Sequence, residues 1–460
     1  MTSLPISSPL DLFDTLRAED ETAWLRQIFL PPPGFETMRG MRSVIVFGEE
    51  GSGKTALRLR LVEAARETPG VAAPLVVEWQ AGVQEETEGE AFVKRFVEEI
   101  LDLTAQSLAV HLVRQPERFT QASRFAQEGM VWLIHHCLRT DKELLLMRLE
   151  NEGTAEGVAC LSEMLSRVPR TLVPQNAPYP RQMTEVVRTL ETAGFGGLWV
   201  MMDGLDAWLT LEAAALGKML TALFSSLALF DIPGFAVKVM APLRMKNLVS
   251  TATGLTRRRF EIFELSWPSE TLRALCERRL ALGLGMESFH ISDLSTDSEL
   301  LPWLEKYSGH SPRGWLEFLR PFLDAYLAQP QPCPLTPEAT AELRRRFPPR
   351  LRMDADLKNV FLGHFLVQDL SESSLNIIRY LYTHPERTCG KEELYYCGLR
   401  GRERPPRVPS DAGWEDSETI EGVIDTALWR LRQALEPDPK QPIYIVSQRG
   451  KGIVHLENAW

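Results

Sequence analysis

The chain has 460 residues, 44% of them hydrophobic and 25% charged, and carries a net charge of −11. That balance is ordinary for a water-compatible protein of two to four domains at about 100–200 residues each, and its acidity argues against non-specific coating of nucleic acid or anionic membrane. The six cysteines form no CxxC pair and the eight histidines no HExxH spacing, so neither a zinc site nor a disulfide framework is indicated, and a reducing compartment fits best.

The opening stretch MTSLPISSPLDLF lacks the positive charge and apolar core of a signal peptide, which predicts a cytoplasmic protein. Residues 9–30 predict a helix with Leu16, Trp24, Leu25, Ile28 and Phe29 on its apolar side, within an N-terminal helical segment over 1–40. Pro31-Pro32-Pro33 stops it. Val44 to Phe47 then run into Gly48-Glu49-Glu50-Gly51-Ser52-Gly53-Lys54-Thr55, and a helical pattern follows with Ala56, Leu57, Leu59 and Leu61. A buried strand, a glycine-rich turn and a helix N-terminus form the context in which GxxxxGK[ST] binds phosphate. Glycines let the backbone curl its N–H groups around an anion, at the positive end of a helix dipole. Gly48, Gly51, Ser52, Gly53 and Ala56 belong to that cradle. Lys54 supplies a point charge for the β- and γ-phosphates, and the Thr55 hydroxyl a Mg²⁺ ligand. ATP and Mg²⁺ are the expected cofactors.

Pro74 to Trp79 predicts a second strand, and from Glu90 to Thr192 the pattern is helical. Strands resume at Leu198–Asp203, Phe235–Ala241 and Phe260–Leu265. Strands alternating with helices predict an α/β fold with a parallel sheet: a P-loop core over 41–268 carrying a helical insertion at about 90–192. The apolar run Met219–Phe230, broken at Ser225-Ser226, is too short to span a bilayer and predicts a buried helix and no membrane partner. His135 and His136 face two sides of a helix, which does not favour a metal.

The segment LWVMMDGLDAW ends an apolar strand in Asp203, where a Walker B carboxylate holds Mg²⁺ through its hydration shell. Gly204 follows, where many AAA+ motors carry a glutamate, and the next carboxylate is Asp206. This DG-hydrophobic-D pattern resembles the STAND class of signalling ATPases, the NACHT and related NTPases. The resemblance gives Asp206 the water-activating role and implies slow turnover, since aspartate is shorter than glutamate. The segment holding Leu10, Phe13 and the Ala18–Asp20 turn resembles the stretch near the adenine in oligomeric ATPases; a plain packing role fits it equally. In STAND proteins the next strand ends in a threonine with an arginine near the γ-phosphate. Here Ala241 and Pro242 fill the polar positions, and Arg244 is the offset candidate. Arg257, Arg258 and Arg259, ahead of a short strand and a helix, resemble the arginine cluster of replication-initiation AAA+ ATPases. There an arginine reaches a neighbouring subunit's γ-phosphate, which implies a homo-oligomer. Solvated charges at a helix end are the plain alternative. Ser308 to Gly314 resembles the GxP-type motif of the same superfamily, with Pro312 fixing the turn and Arg313 touching phosphates, in a helical lid over 269–328. Ser-Pro is also an ordinary helix start.

Clustered prolines and charge over 330–337 and 344–350 predict a linker and connecting helices over 329–369. In the last segment, 370–460, Asp425-x-x-Leu428-x-Arg430-Leu431-Arg432-x-x-Leu435-Glu436-Pro437, Tyr444-Ile445 and Arg449-Gly450-x-Gly452 resemble the winged-helix domain of OmpR/PhoB-type regulators. The resemblance implies a recognition helix and a hairpin wing at Gly450–Gly452. This segment holds twelve basic and fourteen acidic residues. Ile420, Ile424, Leu428, Leu431 and Leu435 are expected in its core, and Glu418, Glu421, Asp425, Trp429, Arg432 and Gln433 outside. Carboxylates repel phosphate, and an exposed tryptophan suits a protein contact. Trp429, Arg430, Arg432, Arg449 and Lys451 are the candidate partner or nucleic-acid contacts. The charges favour a protein partner, an effector or sensor in bacterial signalling or defence. The fold analogy favours DNA, as in a nucleotide-regulated transcription regulator or DNA-loading ATPase.

Overall fold

The computed structural model describes residues 9–14, 17–67, 72–82, 89–174, 176–254, 257–354, 356–385, 387–406, 414–448 and 453–459. They form two compact units. The first holds Thr15–Thr271 with Ser311–Arg313, and the second Ser8–Asp14, Leu272–His310 and Gly314–Trp460.

The first unit is an α/β P-loop fold. Its five strands are β1 (Ser43–Gly48), β2 (Leu75–Gln80), β3 (Leu198–Asp203), β4 (Phe235–Pro242) and β5 (Phe260–Glu264), in the order β2-β3-β4-β1-β5. Every pairing is parallel. A parallel strand covered on both faces needs a continuous apolar run, and every residue of β1 is buried. Between β2 and β3 the chain makes a series of helices, from Gly89–Arg114 to Tyr179–Thr192. The first buries Phe92, Phe96, Ile100, Leu108 and Leu112, a helical spacing that lays one stripe against the sheet. The run Met219–Phe230 is helix Ala213–Phe224, a break at Ser225-Ser226, and a turn of helix Leu227–Phe230. Among the described residues no helix is long and apolar enough to cross a membrane.

The N-terminal segment departs from expectation. Residues 9–30 do not make one helix: single turns form at Asp11–Asp14 and Leu25–Ile28, joined through turns at Asp20 and Glu21. The apolar residues serve two cores rather than one face. Leu12 and Phe13 are buried in the second unit, where the Leu12 carbonyl accepts from Arg279, while Trp24, Leu25 and Ile28 are buried in the first.

In the second unit, helices Leu300–Tyr307 and Pro312–Leu327 belong to the lid. The expected linker is packed, not loose. Leu335 bridges to Ser295, Thr336 caps the helix Pro337–Arg346, and Arg344 meets Asp297 at 2.7 Å. Three short strands, β6 (Leu351–Met353), β7 (Val360–Leu362) and β8 (Phe365–Leu366), form an antiparallel sheet. It ties the lid to the C-terminal domain: His364 N–H donates to the Tyr307 carbonyl at 2.9 Å, and Leu351 N–H to the Asn458 carbonyl at 2.9 Å.

The C-terminal domain is a winged helix. Helices Glu372–Thr383 and Ser417–Leu435 pack with the sheet β10-β11-β9, made of β9 (Cys389–Gly390), β10 (Ile445–Gln448) and β11 (Ile453–Leu456). Ile420, Ile424, Leu428, Leu431 and Leu435 are buried as the periodicity requires. The Glu436 carboxylate accepts from the N–H groups of Ile443, Tyr444 and Ile445, which explains the Leu-Glu-Pro ending of the helix. Arg449 and Lys451, with the wing expected at Gly450–Gly452, lie outside the described residues.

The Asp297–Arg344 pair is the test of the packed linker. Asp297 is only 6% exposed, so Arg344→Ala strands a buried carboxylate and should destabilise the second unit by about 3 kcal/mol. Adding Asp297→Asn should recover at least half of that loss in urea unfolding followed by tryptophan fluorescence.

Candidate functional site

Gly48 ends β1, and the chain turns through residues 49–53 into the helix Lys54–Glu67. Two glycines are required by conformation, Gly51 at φ +74° and Gly53 at φ +90°. Gly48 is required by space, since a Cβ there would lie 2.3 Å from Ser52 Oγ. The loop is clamped from outside by Trp267, whose indole N–H donates to the Ser52 carbonyl at 2.8 Å.

Lys54 turns back on this loop, donating from Nζ to the Gly48 and Glu49 carbonyls at 2.9 and 3.0 Å. Burial holds its pKa below the ordinary value, while Asp206, Asp203, Glu49 and Glu50 pull it the other way. The lysine therefore already sits among the carboxylates that Asp203 and Asp206 bring from the end of β3. Asp203 ends that strand half-buried, its Oδ1 accepting from the Gly204 N–H at 2.8 Å. Gly204, at φ +78°, turns the chain into the short helix Leu205–Thr210, where Asp206 is exposed.

Arg313 joins the same cluster. Its N–H donates to the Gly51 carbonyl at 3.3 Å, and Nη1 to Glu50 at 2.8 Å. A Cβ on Gly51 would meet Arg313 Cβ at 2.8 Å, so this second loop glycine is small for Arg313 as well as for its own φ. Pro312, buried, opens the helix behind it. Thr55 and Ala56 stand half-buried in the first turn of the P-loop helix.

At the glycine turn Ser52 Oγ and Arg313 Nε are buried without a hydrogen-bond partner, as is Arg58 Nε in the P-loop helix. An orphaned buried donor is costly unless a ligand supplies its partner, and the first two flank the glycine turn. These residues fit a bound polyphosphate. Among the described residues no group of three or more His, Cys, Asp and Glu could hold a metal unaided. A Mg²⁺ at Thr55 and Asp203 would draw its remaining oxygens from phosphate and water.

The other sequence candidates lie elsewhere. Arg244 is exposed in the short helix Leu243–Met245, just past the register pair Gly48↔Pro242. Arg257, Arg258 and Arg259 are exposed immediately before β5. The register pairs Phe260 with Ser43, which places them at the opposite sheet edge from Gly48, about 16 Å away along β1 at the usual rise per residue. They do not meet the P-loop of their own chain, and Arg259 is paired with Asp231. In the winged helix Trp429 is 60% exposed, and Arg430 is exposed beside it. Arg432 is engaged, donating to the Ile445 carbonyl at 3.0 Å and bracing the hairpin. Asp425 is paired with Lys391 at 2.8 Å.

Sequence reasoning passed over Arg58, the residue one turn beyond Thr55. It is 4% exposed and lies among Glu19, Glu78 and Asp203. The available signal was a charge at a position that the helix periodicity turns inward.

No family model matches the chain, and no curated protein does. Among solved structures, the Orc1 protein of Aeropyrum pernix in complex with DNA is 13% identical, over 93% of this chain and 90% of that one, with a TM-score of 0.33. Cdc6p of Pyrobaculum aerophilum is also 13% identical, over 98% and 94%, with a TM-score of 0.29.

Because burial disfavours charged Lys54, stability of the ligand-free protein should rise with pH between its lowered pKa and the ordinary 10.5. At neutral pH the charged lysine is a net liability until an anion arrives. Lys54→Met should therefore raise the melting temperature of the ligand-free protein by about 2–4 °C and abolish ATP binding. Thermal unfolding and an ATP titration check the two halves.

Proposed function

We propose that the chain is an ATP-binding, slowly hydrolysing switch of the STAND type. In this reading it assembles with copies of itself and passes its nucleotide state to a partner protein through the winged helix. The observation that carries it is the convergence on one glycine turn of Lys54, Asp203, Asp206 and Arg313. Ser52, Lys54 and the loop N–H groups bind and orient the phosphates, and Thr55 with Asp203 holds Mg²⁺. Bound Mg²⁺ offsets charge on the β- and γ-phosphates. Asp206, exposed on its short helix, accepts a proton from the attacking water. Arg313 heads the lid helix and already touches Glu50 and Gly51, so a change in the P-loop alters its contacts directly. A switch needs nucleotide to favour one state over the other, and Arg313 is the residue through which that preference acts.

Arg257 and Arg258 fit a role in trans. Their place before β5, at the far sheet edge, removes them from their own P-loop and leaves a neighbour's as the site they could serve. The winged helix presents Glu418, Glu421 and Trp429 on the exposed side of Ser417–Leu435, which favours a protein over a phosphate backbone. Exposed Arg402, Arg404 and Arg430 support the second reading, a nucleotide-dependent DNA-binding or DNA-loading ATPase.

Mass measurement with and without ATP tests the leading reading. The wild type should gain mass with ATP, Lys54→Ala should stay at its ligand-free mass, and Arg258→Ala should bind ATP but assemble less. Asp206→Asn should bind ATP while hydrolysis falls at least tenfold on the order expected for loss of a general base. A chain that stays monomeric in every case removes the oligomeric switch. Salt-dependent gel shifts that vanish on replacing Arg402, Arg404 and Arg430 would promote the DNA reading.

A further inference from the structure

Arg58 is almost fully buried, at 4% exposure, and three carboxylates from three parts of the first unit surround its guanidinium. Glu78 on β2 accepts from Nη1, Asp203 Oδ2 lies 3.0 Å from Nε, and Glu19 Oε1 lies 3.7 Å from Nη2. Glu78 and Glu19 are half-exposed at 46% and 54%, whereas the Asp203 side chain is at 18%. A guanidinium does not lose its proton in a protein, so burial cannot neutralise Arg58. It has to be matched by negative charge. Asp203 is thus engaged at both oxygens by the chain itself, Oδ1 by a hydrogen bond from the Gly204 N–H and Oδ2 by an ion pair with Arg58, whose Nε makes no hydrogen bond.

We propose that Arg58 is the internal counter-ion of the magnesium site, a positioning residue that holds Asp203 and sets the Mg²⁺ concentration at which ATP is accepted. The proposal rests on the P-loop reading above. A fixed cation beside Asp203 repels an arriving divalent one. The repulsion is tempered by how far Glu78 and Glu19 share the guanidinium charge. The same contact links the magnesium-holding carboxylate to the Ala18–Asp20 turn, since Glu19 belongs to that turn. Two substitutions should therefore act in opposite directions. Removing Arg58 frees Asp203 for Mg²⁺, and removing the Glu78 charge concentrates Arg58 on Asp203.

The experiment is an ATP-binding titration across a Mg²⁺ series, made on the full chain with a fluorescent ATP analogue. Arg58→Gln should lower the Mg²⁺ midpoint on the order of fivefold. Glu78→Gln should raise it about twofold or more, and Arg58→Lys, which keeps the charge, should stay within about twofold of wild type. An unchanged or higher midpoint for Arg58→Gln overturns the proposal, as does a shift of Glu78→Gln in the same direction as Arg58→Gln. Should Arg58→Gln fail to fold, the half-exposed Glu78→Gln decides alone: a raised midpoint supports the counter-ion, and an unchanged or lowered one overturns it. Wild-type protein that binds no ATP at any Mg²⁺ level overturns the P-loop reading and the proposal with it. Wild-type binding with unshifted variants overturns the proposal only.

Discussion

β1 is hydrogen-bonded on both edges, to β4 and to β5, and every one of its residues is buried. A strand paired on both edges cannot slip by one residue without breaking two hydrogen-bond ladders at once. Gly48 is therefore delivered to one place at the sheet's C-terminal edge, and the turn after it has a fixed start. Trp267 fixes the other side through its bond to the Ser52 carbonyl. Between these two restraints the loop holds a buried hydroxyl without a partner and a desolvated ammonium. Such a loop is preorganised for an anion and unfavourable without one, a combination that functional sites commonly show.

What the sequence made legible follows the range of the forces involved. The P-loop, the acidic strand and the buried face of the last helix are local patterns, set by periods of two and 3.6 residues and by the needs of glycine. Each could be read within a dozen residues. The contacts that were not legible are long-range pairings of charged side chains. Arg58 looks like a helix-face arginine until Glu19, Glu78 and Asp203 are brought to it from three other segments. The Arg313 contact with Glu50 spans 263 positions, and the sequence could mark the arginine but not its partner. Prolines are legible in another sense: the stretch over 329–369 was expected to hold a linker and connecting helices, and Pro337 opens a helix at a position where its missing N–H costs nothing. The N-terminal segment failed for another reason: one helix was expected over 9–30, but Leu12 and Phe13, outside the expected apolar face, are buried in a different unit from Trp24, Leu25 and Ile28.

The winged helix combines a fold associated with nucleic acid and a surface that is not strongly basic. Several of its arginines are committed internally, Arg432 to the hairpin and Arg400 to Tyr395 and Glu415. Lys391 is likewise spent on Asp425. Counting basic residues overstates the positive field such a domain presents, because paired guanidinium groups contribute little beyond their partners. What remains exposed on this helix is Trp429 with Arg430 beside it, and Glu418 and Glu421 about two to three turns away.

The sheet order has a consequence for how the chain is made. Ser43 bonds to Val237, 194 positions away, and the helical series between β2 and β3 separates that pair as well. The strand carrying the P-loop thus emerges early but acquires both of its neighbours only after most of the first unit has been synthesised. Contacts at such separation form late and slowly, since a large loop must close before they return any energy. Until then Val44 to Phe47 is an apolar segment with two open edges, the kind of stretch that recruits other chains. A ligand that recognises only the closed turn would draw the last strands into register, so that the chain's cargo and its assembly aid during biogenesis would be one molecule.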